Sequence, residues 1–475
     1  MLSPITLTRD APLQQQLYQW LRDLIESLPH GARMPSTRLL AEQVGVSRIT
    51  VLLTYERLIA EGHLETRPAT GTFVSRAAAP ARKPVDEAPP PAAVSDDQDA
   101  APDAVGRPDP ALFPTGRWRR LMLDALNHSG AQRSDAPAGS PALRDALARW
   151  LATVRGIAVD PQQIILVNGR RHGLHLIAHL VRRRGARAVL ENPGDPLVAD
   201  ALAGEGFKLL RVPVDRDGLA TDRLPAGDAA LIHVTPTHQR PLGVALAPGR
   251  RQALLAWAAH AGALVLKDDC DGELRYDGSR LPSLLGMGAR DGVVLLAGFV
   301  SALGPWIKLC YLVMPEHLVG AALRLRHLLD DSHHALEEVA LASLIDSGAY
   351  ARHLLRLSRT YGARADALRA ALQRGFGADT RIWGGQAGLR LTWLPPVSGA
   401  AKPLAALAVR CGLEAQALRV EAHAGAPACE AIALGFGALS ETQIAARVAQ
   451  FADVASSLPG VLAEPQPSEI LLSRD

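Results

Sequence analysis

Three apolar stripes open the chain. Leu13, Leu17, Trp20, Leu24 and Leu28 recur at helical spacing across residues 11–28, which predicts an amphipathic helix with that row as its buried face. Leu39, Leu40 and Val44 make a shorter stripe behind Ser36, a residue suited to capping a helix, and Gly45 permits a sharp exit. Behind Ser47 comes a third helix, with Val51, Leu52, Tyr55 and Leu58 or Ile59 facing inward. After Gly62 the period falls to two. Residues 63–67 and 71–74 alternate about Pro68-Ala69-Thr70-Gly71, the pattern of a small hairpin. Two short helices around a Gly-containing turn followed by a hairpin predict a winged helix-turn-helix, whose second helix enters a DNA major groove.

The periodicity then stops. Residues 76–105 are rich in Pro and Ala, with an Asp-Asp-Gln-Asp run, and have too few apolar side chains to bury; a semi-extended linker is expected. Beyond it, helical patterns at 118–126 and 141–154 precede apolar, β-branched runs at 164–167, 188–190, 231–234, 264–266, 293–296 and 309–313. Buried strands alternating with helices predict an α/β domain with a mostly parallel sheet covered on both faces. A long helix after Arg352 leads into shorter strands and two more helices, a smaller α+β domain. The expected division is a head at 1–75, a linker at 76–105, a large domain at 106–375 and a small domain at 376–475.

Composition narrows the function classes. The 475 residues carry 51 basic and 48 acidic side chains and are 48% hydrophobic, as in a globular protein of two or three domains. Seven Arg face seven acidic residues within the first 75 positions, so DNA binding by the head must rest on where its arginines sit rather than on a bulk field. Four cysteines, Cys270, Cys310, Cys411 and Cys429, lack the paired spacing of a zinc site or a disulfide framework. His172, His175 and His179 share a helix face, but no Cys or carboxylate spacing supports a metal there. With neither a signal-peptide pattern nor an 18-residue apolar run, a cytoplasmic protein off the membrane is expected.

The first 75 residues closely resemble the DNA-binding domain of the GntR family. The resemblance implies Arg38, Arg48, Thr50 and Gly71 as DNA contacts, with Ser47 opening the recognition helix. The family's wing usually has Gly where Ala69 stands. Further on, four segments are similar to fold-type I aminotransferases: 108–114 (PDPALFP), 235–243 (TPTHQRPLG), 268–278 (DDCDGELRYDG) and 298–313 (GFVSALGPWIKLCYLV). A GntR-like head joined to such a body is the arrangement of MocR/GabR-type transcriptional regulators, which implies a homodimer acting on double-stranded operator DNA.

In that body a lysine holds pyridoxal 5'-phosphate as an imine, an Asp pairs with the ring nitrogen, and a helix N-terminus with a cation holds the phosphate. The resemblance puts Asp268 at the ring-nitrogen position and Asn168, Gly169 and Arg170 at the phosphate cup, with Lys308 where the family has an Arg. It also puts Cys270 in place of a ring-contacting Tyr, Asp195 in place of the stacking aromatic, His238 in the pocket, and Ser301 where the imine lysine would stand. A serine cannot form that imine. Of the five lysines, Lys83, Lys208 and Lys402 lie outside the motifs, and Lys267 should point away from Asp268. A body without covalent pyridoxal chemistry is therefore expected. Arg170, Arg171, Lys308 and Arg240 are left to form a cationic pocket for an anionic small-molecule effector. A working aminotransferase with a DNA-binding head and a ligand-free dimer scaffold stand as alternatives.

Overall fold

The computed structural model describes residues 12–75, 105–127, 136–183, 185–269, 272–278, 282–288, 291–330, 332–397, 399–420 and 429–457. The expected linker at 76–105 and Cys270 therefore fall almost wholly outside the described residues. The chain divides into two compact units, Met1–Asp96 and Asp97–Asp475.

The first unit is the expected winged helix-turn-helix. Its helices are α1 (Leu13–Ser27), α2 (Thr37–Val44) and α3 (Arg48–Ala60), and its wing is β1 (Leu64–Arg67) with β2 (Gly71–Val74). The wing strands are antiparallel, from Leu64 opposite Val74 to Arg67 opposite Gly71. Ser36 Oγ accepts the Leu39 N–H at 3.2 Å, and Gly45 ends α2 in the left-handed conformation at φ 73°. The inward rows differ from the expected ones. On α1 the buried residues are Leu17, Tyr18, Leu21 and Ile25, while Leu13 is exposed; on α3, Thr54 is buried and Leu52 faces out. Both helices have more apolar residues than one face can hold, and packing of α1 against α3 selects the row.

The second unit carries an eight-stranded mixed sheet. Its strands are β3 (Ile164–Val167), β4 (Arg187–Asn192), β5 (Lys208–Asp215), β6 (Gly218–Leu219), β7 (Leu231–Val234), β8 (Leu264–Asp268), β9 (Val293–Gly298) and β10 (Cys310–Val313). They are ordered β3-β10-β9-β8-β7-β4-β5-β6. The run β9-β8-β7-β4-β5 is parallel, and β10 runs against both its neighbours. Around the sheet lie α4 (Thr115–Asn127), α5 (Pro141–Arg155), α6 (Arg170–Val181), α7 (Pro196–Gly204), α8 (Pro248–Ala261), α9 (Val300–Leu303), α10 (Glu316–Leu329), α11 (Ala335–Asp346) and the 28-residue α12 (Ala349–Phe376).

Alternation along the strands separates two cores. Ile165, Val167, Leu190, Leu266, Leu296 and Leu312 pack with α6, α7 and α10. Leu166, Val189, Ile232, Val265, Leu295 and Tyr311 pack with α5, α8, α11 and α12. A second, antiparallel sheet follows: β11 (Arg381–Gly384), β12 (Arg390–Leu394), β13 (Glu414–Val420) and β14 (Cys429–Gly435), ordered β11-β12-β14-β13 and flanked by α13 (Ala401–Arg410) and α14 (Glu441–Ser456). Among the described residues no helix is long and apolar enough to cross a membrane.

Candidate functional site

In the head, Ser47 is the N-cap of α3. Its Oγ accepts the Thr50 N–H at 3.1 Å and lies 2.8 Å from Thr50 Oγ1. The Thr50 hydroxyl is thus tied back to the cap, leaving Arg48 as the exposed polar group of the first turn. Four arginines of the head are paired: Arg22 with Glu26, Arg38 with Glu42, Arg57 with Glu61 and Arg67 with Glu65. Arg48 has no such partner among the described residues, so its charge stays available to an anion. Arg38 is held at 3.3 Å by Glu42 in an exposed pair, a weak tie that a phosphate can replace. Beside Arg48, Ile49 is 68% exposed. Sequence reasoning missed it; its place in the first turn of the recognition helix, one residue after Arg48, was the available signal.

The wing tip is strained at one place. Thr70 N–H bonds the Arg67 carbonyl at 3.1 Å, Pro68 occupies the second turn position, and Ala69 the third at φ 61°. That is a type II-like turn, in which the third position favours Gly. The expected Gly has been replaced by a residue whose Cβ disfavours this conformation. Gly71, at φ 119°, closes the hairpin against Arg33, whose Nε would lie 3.4 Å from a Cβ placed there.

In the body, β8 ends on Asp268, which faces α6 and α7. Gly169, at φ 106°, turns the chain from β3 into α6, and its close neighbour is the Lys308 carbonyl. The cup residues expected from sequence therefore do meet. Their chemistry differs from a phosphate cup. Arg170, the first residue of α6, places Nε 2.5 Å from Asp268 Oδ2 and Nη1 2.7 Å from Asp195 Oδ2. His233, on the neighbouring β7, puts Nε2 3.2 Å from the same Asp268 oxygen. All four side chains, Arg170, Asp195, His233 and Asp268, are buried or nearly so. Burial alone would raise both carboxyls; Arg170 outweighs it and holds Asp268 and Asp195 below the usual carboxylate range, with help from His233 and Arg240.

His233 was not anticipated, although a His inside the apolar run Leu-Ile-His-Val was a visible signal. Beside it, Glu191 is buried. It accepts from Thr235 N at 3.1 Å, from Thr235 Oγ1 at 2.5 Å and from Gln239 Nε2 at 3.2 Å. Burial raises its pKa, and the bonds from Thr235 and Gln239 only partly offset that. The segment 235–243 thus serves a buried carboxylate. His238, from the same segment, is packed against Gly243 and Gly388, where a Cβ at 388 would collide with its ring.

Asn168 turns from the cup to Asp330: Nδ2 donates to Asp330 Oδ2 and to Ser332 Oγ, both at 2.7 Å. Ser301 is buried in α9 directly after β9. Arg171 and Lys308 are exposed. His175 and His179 gather with Arg182 around Glu205, and among the described residues no group of His, Cys, Asp and Glu has an arrangement that could hold a metal ion.

The expected cationic pocket is therefore corrected: Arg170 is spent on two carboxylates, and Arg240 lines with Asp195 a cavity of only about 10 Å³. These residues do not fit pyridoxal phosphate. The Asp268 oxygen is engaged by Arg170 and His233, Asp195 adds a negative charge beside it, and Asp330 stands by Asn168 near the start of α6.

Lys267, one residue earlier, is on the other side of the sheet as expected. Its Nζ lies 3.0 Å from Asp269 Oδ2 and 3.4 Å from Ser283 Oγ.

Residues 13–74 match the family model described as bacterial regulatory proteins, gntR family, and residues 106–408 match aminotransferase class I and II. The chain is 32% identical over 408 residues to the probable rhizopine catabolism regulatory protein MocR of Rhizobium meliloti, covering 82% of this chain and 83% of that protein. It is 34% identical over 375 residues to the HTH-type pyridoxine biosynthesis transcriptional regulator PdxR of Corynebacterium glutamicum, covering 76% and 79%. In fold, it is similar to an archaeal alanine:glyoxylate aminotransferase with a TM-score of 0.65 at 22% identity, over 74% of this chain and 89% of that one. A Pyrococcus horikoshii kynurenine aminotransferase gives a TM-score of 0.66 at 22% identity, with the same shares covered.

Proposed function

The chain belongs to the MocR-type transcriptional regulators, a gntR-family head and an aminotransferase-type body in one polypeptide, and we propose that its head reads operator DNA while its body is a non-catalytic dimerising and sensing module. Arg48, at the exposed start of α3, reaches a guanine edge or a phosphate in the major groove. Ile49 beside it meets a thymine methyl, Arg38 contacts the backbone, and the wing closes on the flanking groove around Gly71. Two heads per homodimer then engage two half-sites. Such a regulator works in the cytoplasm, where the chromosome is.

The observation that carries the non-catalytic reading is Arg170. Its guanidinium bridges Asp268 and Asp195, the positions that would meet the cofactor ring, and Ser301 brings no amine to the imine position. An effector acts on such a body only through unequal affinity for DNA-competent and DNA-incompetent arrangements.

The test is spectroscopic. Purified full-length protein is mixed with pyridoxal phosphate, reduced with borohydride and digested for mass spectrometry. The expected result is no visible aldimine band and no phosphopyridoxyl-lysine at a defined position. A yellow protein with stoichiometric cofactor fixed to one lysine would overturn the proposal in favour of an aminotransferase with a regulatory head.

A further inference from the structure

Behind the sheet, on the face opposite Asp268, lies a cavity of about 330 Å³, within the size range of small-ligand sites. Trp150 and Val154 of α5 and Leu354 of α12 give it an apolar side; Arg155, Arg251 and Lys267 give it a cationic one. Val154 is 45% exposed and marks the mouth.

The charges around this cavity do not balance. Lys267 and the Arg155 Nη2 both turn to one oxygen of Asp269. Arg251 is buried and spends its hydrogen bonds on backbone carbonyls of Leu246, Pro236 and Pro282, at 2.6–2.9 Å. Glu273 accepts from Trp150 Nε1 at 3.3 Å and from the Tyr350 hydroxyl, and burial raises its pKa, weakening its hold on a negative charge. Three cations, Arg155, Arg251 and Lys267, thus face two carboxyl groups, Asp269 and Glu273, beside an Arg275 that is paired with Asp277. Arg155 Nη1 and, on the facing carboxylate, Asp269 Oδ1 are both buried with no hydrogen-bond partner among the described residues. Buried donors and buried charges are costly unless paired. Burial pushes the Lys267 ammonium down to about 8, as expected of a cation short of counter-charge.

We propose that this cavity is the effector site of the body and takes a small organic carboxylate, held by Arg155 Nη1 and Lys267 with its apolar part against Trp150, Val154 and Leu354. One negative charge matches the imbalance, a planar carboxylate suits a guanidinium edge, and the apolar wall disfavours a bare inorganic anion. The inference rests on the sensing role proposed above.

It is tested by calorimetry on full-length protein without DNA, using sodium benzoate as the carboxylate and benzyl alcohol as its neutral counterpart. Benzoate is expected to bind saturably, one per chain, at least tenfold more tightly than benzyl alcohol. Lys267→Met is expected to weaken it at least tenfold. Because that variant also removes a partner of Asp269, a second one, Val154→Asp, places a carboxylate at the half-exposed mouth without disturbing the core, and should weaken benzoate equally. Lys208→Met, on exposed β5, should leave it unchanged. Absence of saturable benzoate binding, or binding indifferent to both cavity variants, overturns the site. Operator binding measured on the same preparations stands or falls separately, so a failed site is distinguishable from a failed regulator.

Discussion

Arg170→Ala removes a cation that ion-pairs with both Asp268 and Asp195. The side chains of Arg170, Asp195 and Asp268 are 12%, 3% and 2% exposed, so water does little to replace it. Breaking a buried pair from one side costs about 3–5 kcal/mol, because the abandoned charge stays buried. Here two carboxylates are abandoned, but Asp268 keeps His233 at 3.2 Å and Asp195 keeps Arg240 nearby. A loss of about 3 kcal/mol at pH 7 is therefore expected, toward the lower end of that range.

The pH dependence has a definite sign. In the wild type both carboxyls lie below their unfolded values, so their stabilisation is complete above about pH 4 and is lost as pH falls further. In the variant burial dominates and both pKa values rise above their unfolded values. The native state then takes up protons first, and the variant regains stability as pH falls from 8 toward 5. Urea unfolding of the body, followed by tryptophan fluorescence at pH 5, 6, 7 and 8, reads the gap between the two proteins. A loss below about 1 kcal/mol, the scale of an exposed pair, or a gap constant across that range would refute the account of Arg170 as a buried counter-ion.

Three other outcomes follow from geometry already described. Arg48→Ala should weaken specific operator binding by about 1–3 kcal/mol in mobility-shift titrations if Arg48 reads a base; an equal loss on unrelated DNA assigns it to a phosphate instead. Ala69→Gly relieves a left-handed alanine and should raise head stability by about 1 kcal/mol, read as a shift in thermal midpoint; no change means the wing tip adapts without strain. Lys267 has a folded pKa below its unfolded one, so the unfolded chain holds the extra proton between about pH 8 and 10.5 and stability should rise with pH across that window. Lys267→Met should abolish the rise, and an unchanged slope in the variant would assign it to another group.

The sequence carried the fold far. Helices, wing and most sheet strands were legible because a buried face leaves a period behind it. The α1 row was not, since Leu13, Leu17, Trp20, Leu24 and Leu28 compete with Leu17, Tyr18, Leu21 and Ile25, and only contact with α3 decides. At the candidate site, Asp268 and the cup from Asn168 to Arg170 could be read from motif order. Where the Arg170 charge went could not. Asp195 and Asp268 stand 25 and 98 positions away in the chain, and whether an arginine faces a ligand or neutralises its neighbours depends on the three-dimensional pairing alone. The rear cavity was likewise invisible, because α5, β8 and α12 reach it from distant parts of the sequence.

Lys267 and Asp268 are adjacent on β8, yet each belongs to a separate electrostatic neighbourhood with a pleated sheet as the wall between them. Lys267 is paired with Asp269, and Asp268 with Arg170 and His233, so a change at one leaves the partners of the other in place. One strand thus supplies charged groups to both faces of the sheet, each with its own set of partners.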